Sequence, residues 1–313
     1  YKGINPSQSE WISVSALDSL GKNSVRSKAI QSPIGLVNCS LPYDVEVSQI
    51  LHPLGNYSDC LNPGSVSPTV MLTNRGTSPI DSIMVFFTVG QTTISMLYTN
   101  LIQPGDSAFV SFASTISLAY GQNSLVAWSS HPKDDIWLND TSQAIAKVTN
   151  STSFNTPYQE DFESFIQCPT TTDCEATDCP LPLDWVNEEN YSVDAIDFRT
   201  NTGPTPTNGT GPSNDHTTGN GNYLYLESSA CYGRYGILES PCIKVMSTNK
   251  ELVFWYHMLG SEMGRLHIDI LYDGKIDLDV TNVIQGNQGN IWREKRVALS
   301  KYAGKDIVVQ FRG

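Results

Sequence analysis

The segment from Val70 to Tyr98 most tightly limits what this chain can fold into. It reads VMLTNRGTSPIDSIMVFFTVGQTTISMLY. Short runs rich in β-branched and aromatic residues are cut by Asn-Arg-Gly-Thr-Ser-Pro and by Gly-Gln. Runs of this length, bounded by turn formers, are strands rather than helices. The pattern recurs along the chain, and no segment carries a convincing 3.6-residue period. An all-β chain is therefore expected. Strands are placed at Val45–Leu51, Thr69–Asn74, Ser82–Val89, Thr92–Tyr98, Ser107–Phe112 and Ser124–Ser129. Over residues 43–149 they suit an immunoglobulin-like sandwich.

Composition narrows the partners. The net charge of −13 leaves nothing to offset phosphate repulsion, so nucleic acid and anionic membranes are poor candidates as partners. Calcium becomes a plausible ligand. No run approaches the roughly 20 apolar residues needed to span a bilayer. The chain opens on Tyr1 with nothing like a signal peptide, which suggests a mature or internal piece of something longer. Seven cysteines, Cys39, Cys60, Cys168, Cys174, Cys179, Cys231 and Cys242, include no CxxC pair. They are expected to form disulfides in an oxidising, extracellular or cell-surface setting. Cys39 and Cys60 flank the first strand of the sandwich and are the preferred pair there. Asn-x-Ser/Thr triplets at Asn38, Asn56, Asn139, Asn150, Asn190 and Asn208 fit exposed loops.

Trp11–Ile30 holds an alternating strand, a turn at Leu20–Asn23 and a return strand. Val14, Ala16, Asp18, Gly21 and Ser24 resemble the last hairpin of a fibronectin type III domain, over residues 1–36. The second unit, with VMLTNRGTSPIDSIMVFFTVG, IQPGDSAFVSF and LNDTS, resembles the bacterial CARDB family of adhesion-related sandwiches. From Gln159 onward several blocks stand in order: DFE, DHT, YLYLE, LESP, FWYHMLGSEMGRL, a late Trp and VVQFRG. They resemble the MAM domain, an extracellular jelly-roll sandwich of surface receptors, surface proteases and secreted proteins, here spanning 159–313. The Cys-rich stretch CPTTTDCEATDCPLPLDW departs from the family pattern, so its disulfide pairing is not carried over. The family's final strand is also missing, and is expected to be supplied by continuing chain or by another molecule.

Catalytic signatures are absent from the sequence. His52, His131, His216, His257 and His267 form no HExxH, no GxSxG elbow occurs, and Ser107 lacks a fitting His or Asp context. Calcium is the better chemical expectation. Asp161 and Glu163 lie at i and i+2 on an expected strand and would share a face. Asp215 sits in a Gly/Asn-rich loop, and calcium wants several hard oxygens from such loops. The MAM resemblance implies a structural cation held by Asp161, Glu163 and Asp215. HPKDDIWLND, with Asp134, Asp135, Asn139 and Asp140, is a second calcium candidate or simply an exposed hairpin loop. Tyr223 and Tyr225 are expected to pack. Tyr232 and Tyr235, beside glycines, are the candidate ligand-facing tyrosines. In Leu252–Ile270, both faces of the first strand are apolar, so a central strand and a hairpin at Gly260–Gly264 are expected.

The function these readings imply is non-catalytic. The chain would be a modular segment of a large secreted or surface protein, similar to the giant adhesins and secreted multi-domain proteins of gliding bacteria. It would act in adhesion or as a rigid spacer, with an extracellular protein, a glycan surface or neighbouring domains as partners. Two alternatives stand: an accessory region of a secreted protease or polysaccharide-degrading enzyme, and a carbohydrate-binding jelly roll.

Overall fold

A computed structural model of the chain falls into two compact units, residues 1–42 and 43–313. It describes residues 41–313 other than 135, 175, 183, 189–195, 230 and 232, and two strands within residues 1–40. In the first unit, β1 (Trp11–Ile12) pairs antiparallel with β2 (Ile30–Gln31). These are the two ends of the expected hairpin. Its turn and inner residues lie outside the described residues, as does Cys39.

The second unit is all-β. Its first half carries β3 (Val45–His52), β4 (Gly55–Ser58), β5 (Thr69–Asn74), β6 (Ile83–Val89), β7 (Thr92–Tyr98), β8 (Ser107–Ser111), β9 (Gly121–Ser130) and β10 (Thr141–Thr149). The strand order is β3-β5-β8 in one sheet and β4-β10-β9-β6-β7 in the other. All pairings are antiparallel except β4 with β10. Alternation explains the packing. In β6, Ile83, Val85, Phe87 and Val89 are buried while the residues between them are half-exposed. The expected strands appear close to their predicted bounds. β4 and β10 are additions. β4 is four residues opening on a glycine, and β10 buries small side chains such as Ala146, so neither shows an apolar stripe.

The second half carries β11 (Ser153–Asn155), β12 (Val186–Asn187), β13 (Phe198–Thr202), β14 (Asn222–Leu226), β15 (Ile237–Glu239), β16 (Cys242–Lys244), β17 (Glu251–Met258), β18 (Arg265–Tyr272), β19 (Lys275–Asp277), β20 (Ile284–Gln285), β21 (Gly289–Ala298) and β22 (Asp306–Arg312). β22 is the hub. β18 pairs along one edge, and β15 and β16 share the other. Between those two strands, Ser240 keeps the ladder closed. Its amide donates to the Val309 carbonyl and its hydroxyl accepts from the Val309 amide, both at 2.9 Å.

Two expectations fail here. β17 and β18 are not a hairpin: β17 pairs with β21, and β18 with β22, so the Gly260–Gly264 turn carries the chain between sheets. Nor is β17 covered on both faces. Leu252 and Phe254 pack against the core while Val253 and Trp255 are 42% and 43% exposed. An apolar outer face made the strand look central.

The two halves share one core. The cluster built on Val47, Ile50, Phe87 and Leu125 also holds Cys242, Leu271 and Val308 from the second half. Burying a side chain such as Leu271 is worth about 1.5–3 kcal/mol. The predicted separation at residues 149–159 is thus a change of sheet within one compact body.

Candidate functional site

The expected calcium residues meet only in part. Residues 161–163 form a turn rather than a strand, with Phe162 at φ 63°. The Asp161 carboxylate accepts from the Glu163 amide at 3.1 Å, a local turn contact. The acid–apolar alternation there was turn chemistry, which mimics a strand pattern over so few residues. Glu163 and Asp215 do converge. Glu163 accepts from the amide of Asn222 at 3.2 Å, and Asp215 from the adjacent amide of Gly221 at 2.7 Å. Asp215 also accepts from the amides of Thr217 and Thr218 and from the Thr218 hydroxyl. Burial pushes its carboxyl up, but these donors outweigh that and hold it below the usual range. Among the described residues, no group of three His, Cys, Asp or Glu side chains is placed to hold a metal ion.

In the other acidic loop, Asp134 accepts from the amides of Val45 and Ile136, both at 2.9 Å, and Asn139 donates to Asp44 at 2.8 Å. Burial, then Asp134 and Asp44, push Asp140 up to about 6. Asp135 lies outside the described residues. Tyr223 and Tyr225 are buried, as packing required, and the Tyr223 hydroxyl donates to the Gly203 carbonyl at 2.6 Å. His257 is bonded to Asn290 at 3.0 Å. His267 alternates with the inward residues Leu266 and Ile268, a position that suits a solvent-facing side chain. It is instead largely covered and bonded to Asp279 at 2.6 Å, beside the buried Asp269–Arg312 pair.

Tyr232 lies outside the described residues, and Tyr235 corrects the ligand-facing expectation. Its hydroxyl donates to Gln49 on β3, so it faces the first half of the unit. It belongs to a polar junction that sequence reasoning missed. The Asn56 amide donates to Glu188 at 3.0 Å. Gln310 donates to Glu239 at 3.0 Å, and Glu188 lies within hydrogen-bonding reach of Glu239. Burial pushes the Glu239 carboxyl up to about 7, with Gln310 and Glu188 pulling the other way. Tyr57 sits near Glu239 and stacks at a tilt on His52, with ring centroids 5.6 Å apart. His52 is pushed down to about 4 by burial, only partly offset by its bond to the Gly274 backbone. That backbone carbonyl also accepts from the Ser67 amide at 2.6 Å.

Two glycines make the close approach possible. A Cβ at Gly55 would strike the Glu188 carboxylate, and one at Gly274 would lie 2.0 Å from the Ser65 carbonyl oxygen. Both residues have positive φ, a region that glycine enters without penalty.

Disulfides complete the junction. Cys60 bonds to Cys242, not to Cys39, and links β16 to the short 3₁₀ turn after β4. Cys168–Cys179 and Cys174–Cys231 staple the Cys-rich loop to its own half. Spacing along the chain gave no hint of a bond with a sequence separation of 182 residues.

Two all-β halves with a common core and a disulfide between them make one cross-linked all-β body. The family model described as "MAM domain, meprin/A5/mu" matches residues 161–313. Neuropilin-1 of Xenopus laevis is 44% identical over 94 residues, covering 29% of this chain and 10% of that protein. MAM domain-containing protein 2 of Homo sapiens is 45% identical over 67 residues, 21% of this chain and 10% of that protein. The chain thus spans about a tenth of the length of these relatives. The solved CARDB domain of a Pyrococcus furiosus protein is 15% identical, covering 35% of this chain and 96% of its own, with a TM-score of 0.27. That likeness carries no functional weight.

Proposed function

We propose that this chain is a non-catalytic, extracellular modular segment that acts in adhesion or as a rigid spacer. The observation that supports this most is the junction: a shared core, buried polar contacts and the Cys60–Cys242 bond join two sandwiches into one compact unit. A body of that kind transmits position and load without bending at a linker. The disulfides suit an oxidising compartment. The partners are an extracellular protein or glycan surface and neighbouring domains of the same chain. The test is retention of beads coated with the chain on cell and glycan surfaces under flow. Retention above that of an unrelated sandwich supports adhesion, whereas indifference to every surface leaves only the spacer role.

A structural calcium is the second reading, favoured by Glu163 and Asp215 converging on adjacent amides. Asp215 already holds several donors, so the ion would draw on Glu163, Asp161 and loop carbonyls. A rise in melting temperature with millimolar calcium, reversed by chelator, is the expected result; no change overturns it.

A further inference from the structure

We infer that the Cys60–Cys242 disulfide is a redox-gated stop on mechanical extension. The inference rests on the spacer reading above and adds to it a limit on stretching and a chemical release. The bond closes a loop with a sequence separation of 182 residues. That loop takes in most of the first sandwich and about half of the second. Both other disulfides, Cys168–Cys179 and Cys174–Cys231, lie inside it. Tension applied from the two ends of the unit runs along residues 43–60, crosses the bond and leaves along 242–313. Everything between is shielded from force while the bond is intact.

The bond is also sheltered. Cys242 is 1% exposed, and Cys60 is packed against the common core. The Ser58 hydroxyl lies 3.1 Å from the Cys60 sulfur and 2.9 Å from that of Cys242, with the Ser151 hydroxyl 3.6 Å from the latter. A thiolate must reach a sulfur directly to exchange, and in the folded unit these groups stand in its way. Ser58 ends β4, which is held on β10 by the Gly55–Ser58 register. Pulling residues 43–60 peels β3 from β5 and then β4 from β10, and so uncovers the bond. An external dithiol then completes the release. Its thiolate attacks the Cys60 sulfur, and Cys242 leaves as a thiolate and is protonated. The second thiol resolves the mixed disulfide, freeing Cys60 and leaving the reductant as its own disulfide. Two electrons pass from reductant to protein.

The experiment is single-molecule pulling of the whole 313-residue chain from its termini. At about 3.6 Å per extended residue, unfolding of 43–313 without reductant lengthens the chain by about 30 nm. Replacing both cysteines (Cys60→Ser with Cys242→Ser) adds about 45 nm, since the inner disulfides still shorten the path. Dithiothreitol on the parent chain gives a separate later step of that size, growing toward about 65 nm as the inner disulfides open. The parent chain with and without reductant gives the same reading if the double variant does not fold. Equal contour lengths with and without the bond overturn the stop, and full extension in dithiol before any unfolding step overturns the gating. Failure of surface retention under flow counts against adhesion alone, so the two readings fail separately.

Discussion

Replacing Glu239 with glutamine should expose a pH dependence that the parent junction hides. His52 and Glu239 both lie at the contact between the two halves, and burial moves them in opposite directions. His52 falls from 6.5 to about 4, and Glu239 rises from 4.5 to about 7. The depressed His52 contributes stability that is present above pH 6.5 and is lost as pH falls through 4. The raised Glu239 contributes stability that is present below pH 4.5 and is lost as pH rises through 7. Each shift corresponds to about 3 kcal/mol at about 1.4 kcal/mol per unit. Across pH 4–7 the two losses run against each other and largely offset. The introduced glutamine keeps the shape and the bond to Gln310 but cannot ionise. Relative to the parent, E239Q should therefore gain about 3 kcal/mol between pH 4 and pH 7. Urea unfolding followed by tryptophan fluorescence, disulfides intact, reads this as a relative midpoint shift of about 1 M or more. Taking the difference between the two proteins removes other raised carboxyls, such as Asp140 and Asp197. A constant difference across the range would refute the opposing-charge account.

Three further outcomes are expected. Gly274→Ala forces a side chain against the Ser65 carbonyl in a left-handed backbone; it should cost about 2 kcal/mol or more and lower the melting temperature by several degrees in calorimetry. Arg199→Met removes a buried guanidinium that holds Asp178 and the carbonyls of Ala176 and Pro169; a lower urea midpoint and faster proteolysis within residues 169–178 should follow. Tyr235→Phe deletes the hydroxyl bonded to Gln49; it should cost about 1 kcal/mol in urea unfolding and leave any glycan-array signal unchanged, whereas loss of such a signal would restore the ligand-facing role.

Strand positions were legible because burial on one face imposes a two-residue alternation, as in β6 and β7. β10 was not, because its inward residues include alanines with little contrast to their neighbours. The β17 hairpin was misread for a related reason. Apolar residues on both faces suggest cover on both faces, yet Val253 and Trp255 are left half-exposed. Asp161 and Glu163 looked like a shared face because two residues of alternation fit a turn as well as a strand. The junction was illegible for a different reason. His52, Glu188 and Glu239 look ordinary in their local stretches, and only the contact between distant segments buries them. Cys60 and Cys242 likewise carry no spacing signal.

The common core also imposes an order on biosynthesis. Residues near Val47 and Phe87 emerge from the ribosome long before Cys242, Leu271 and Val308, which fill the same cluster. The first sandwich therefore waits, with part of its apolar surface uncovered, until the last strands arrive. Contacts this distant in sequence slow folding, and uncovered edges invite aggregation meanwhile. The feature that stiffens the finished molecule thus makes its early translation the period of greatest need for a chaperone.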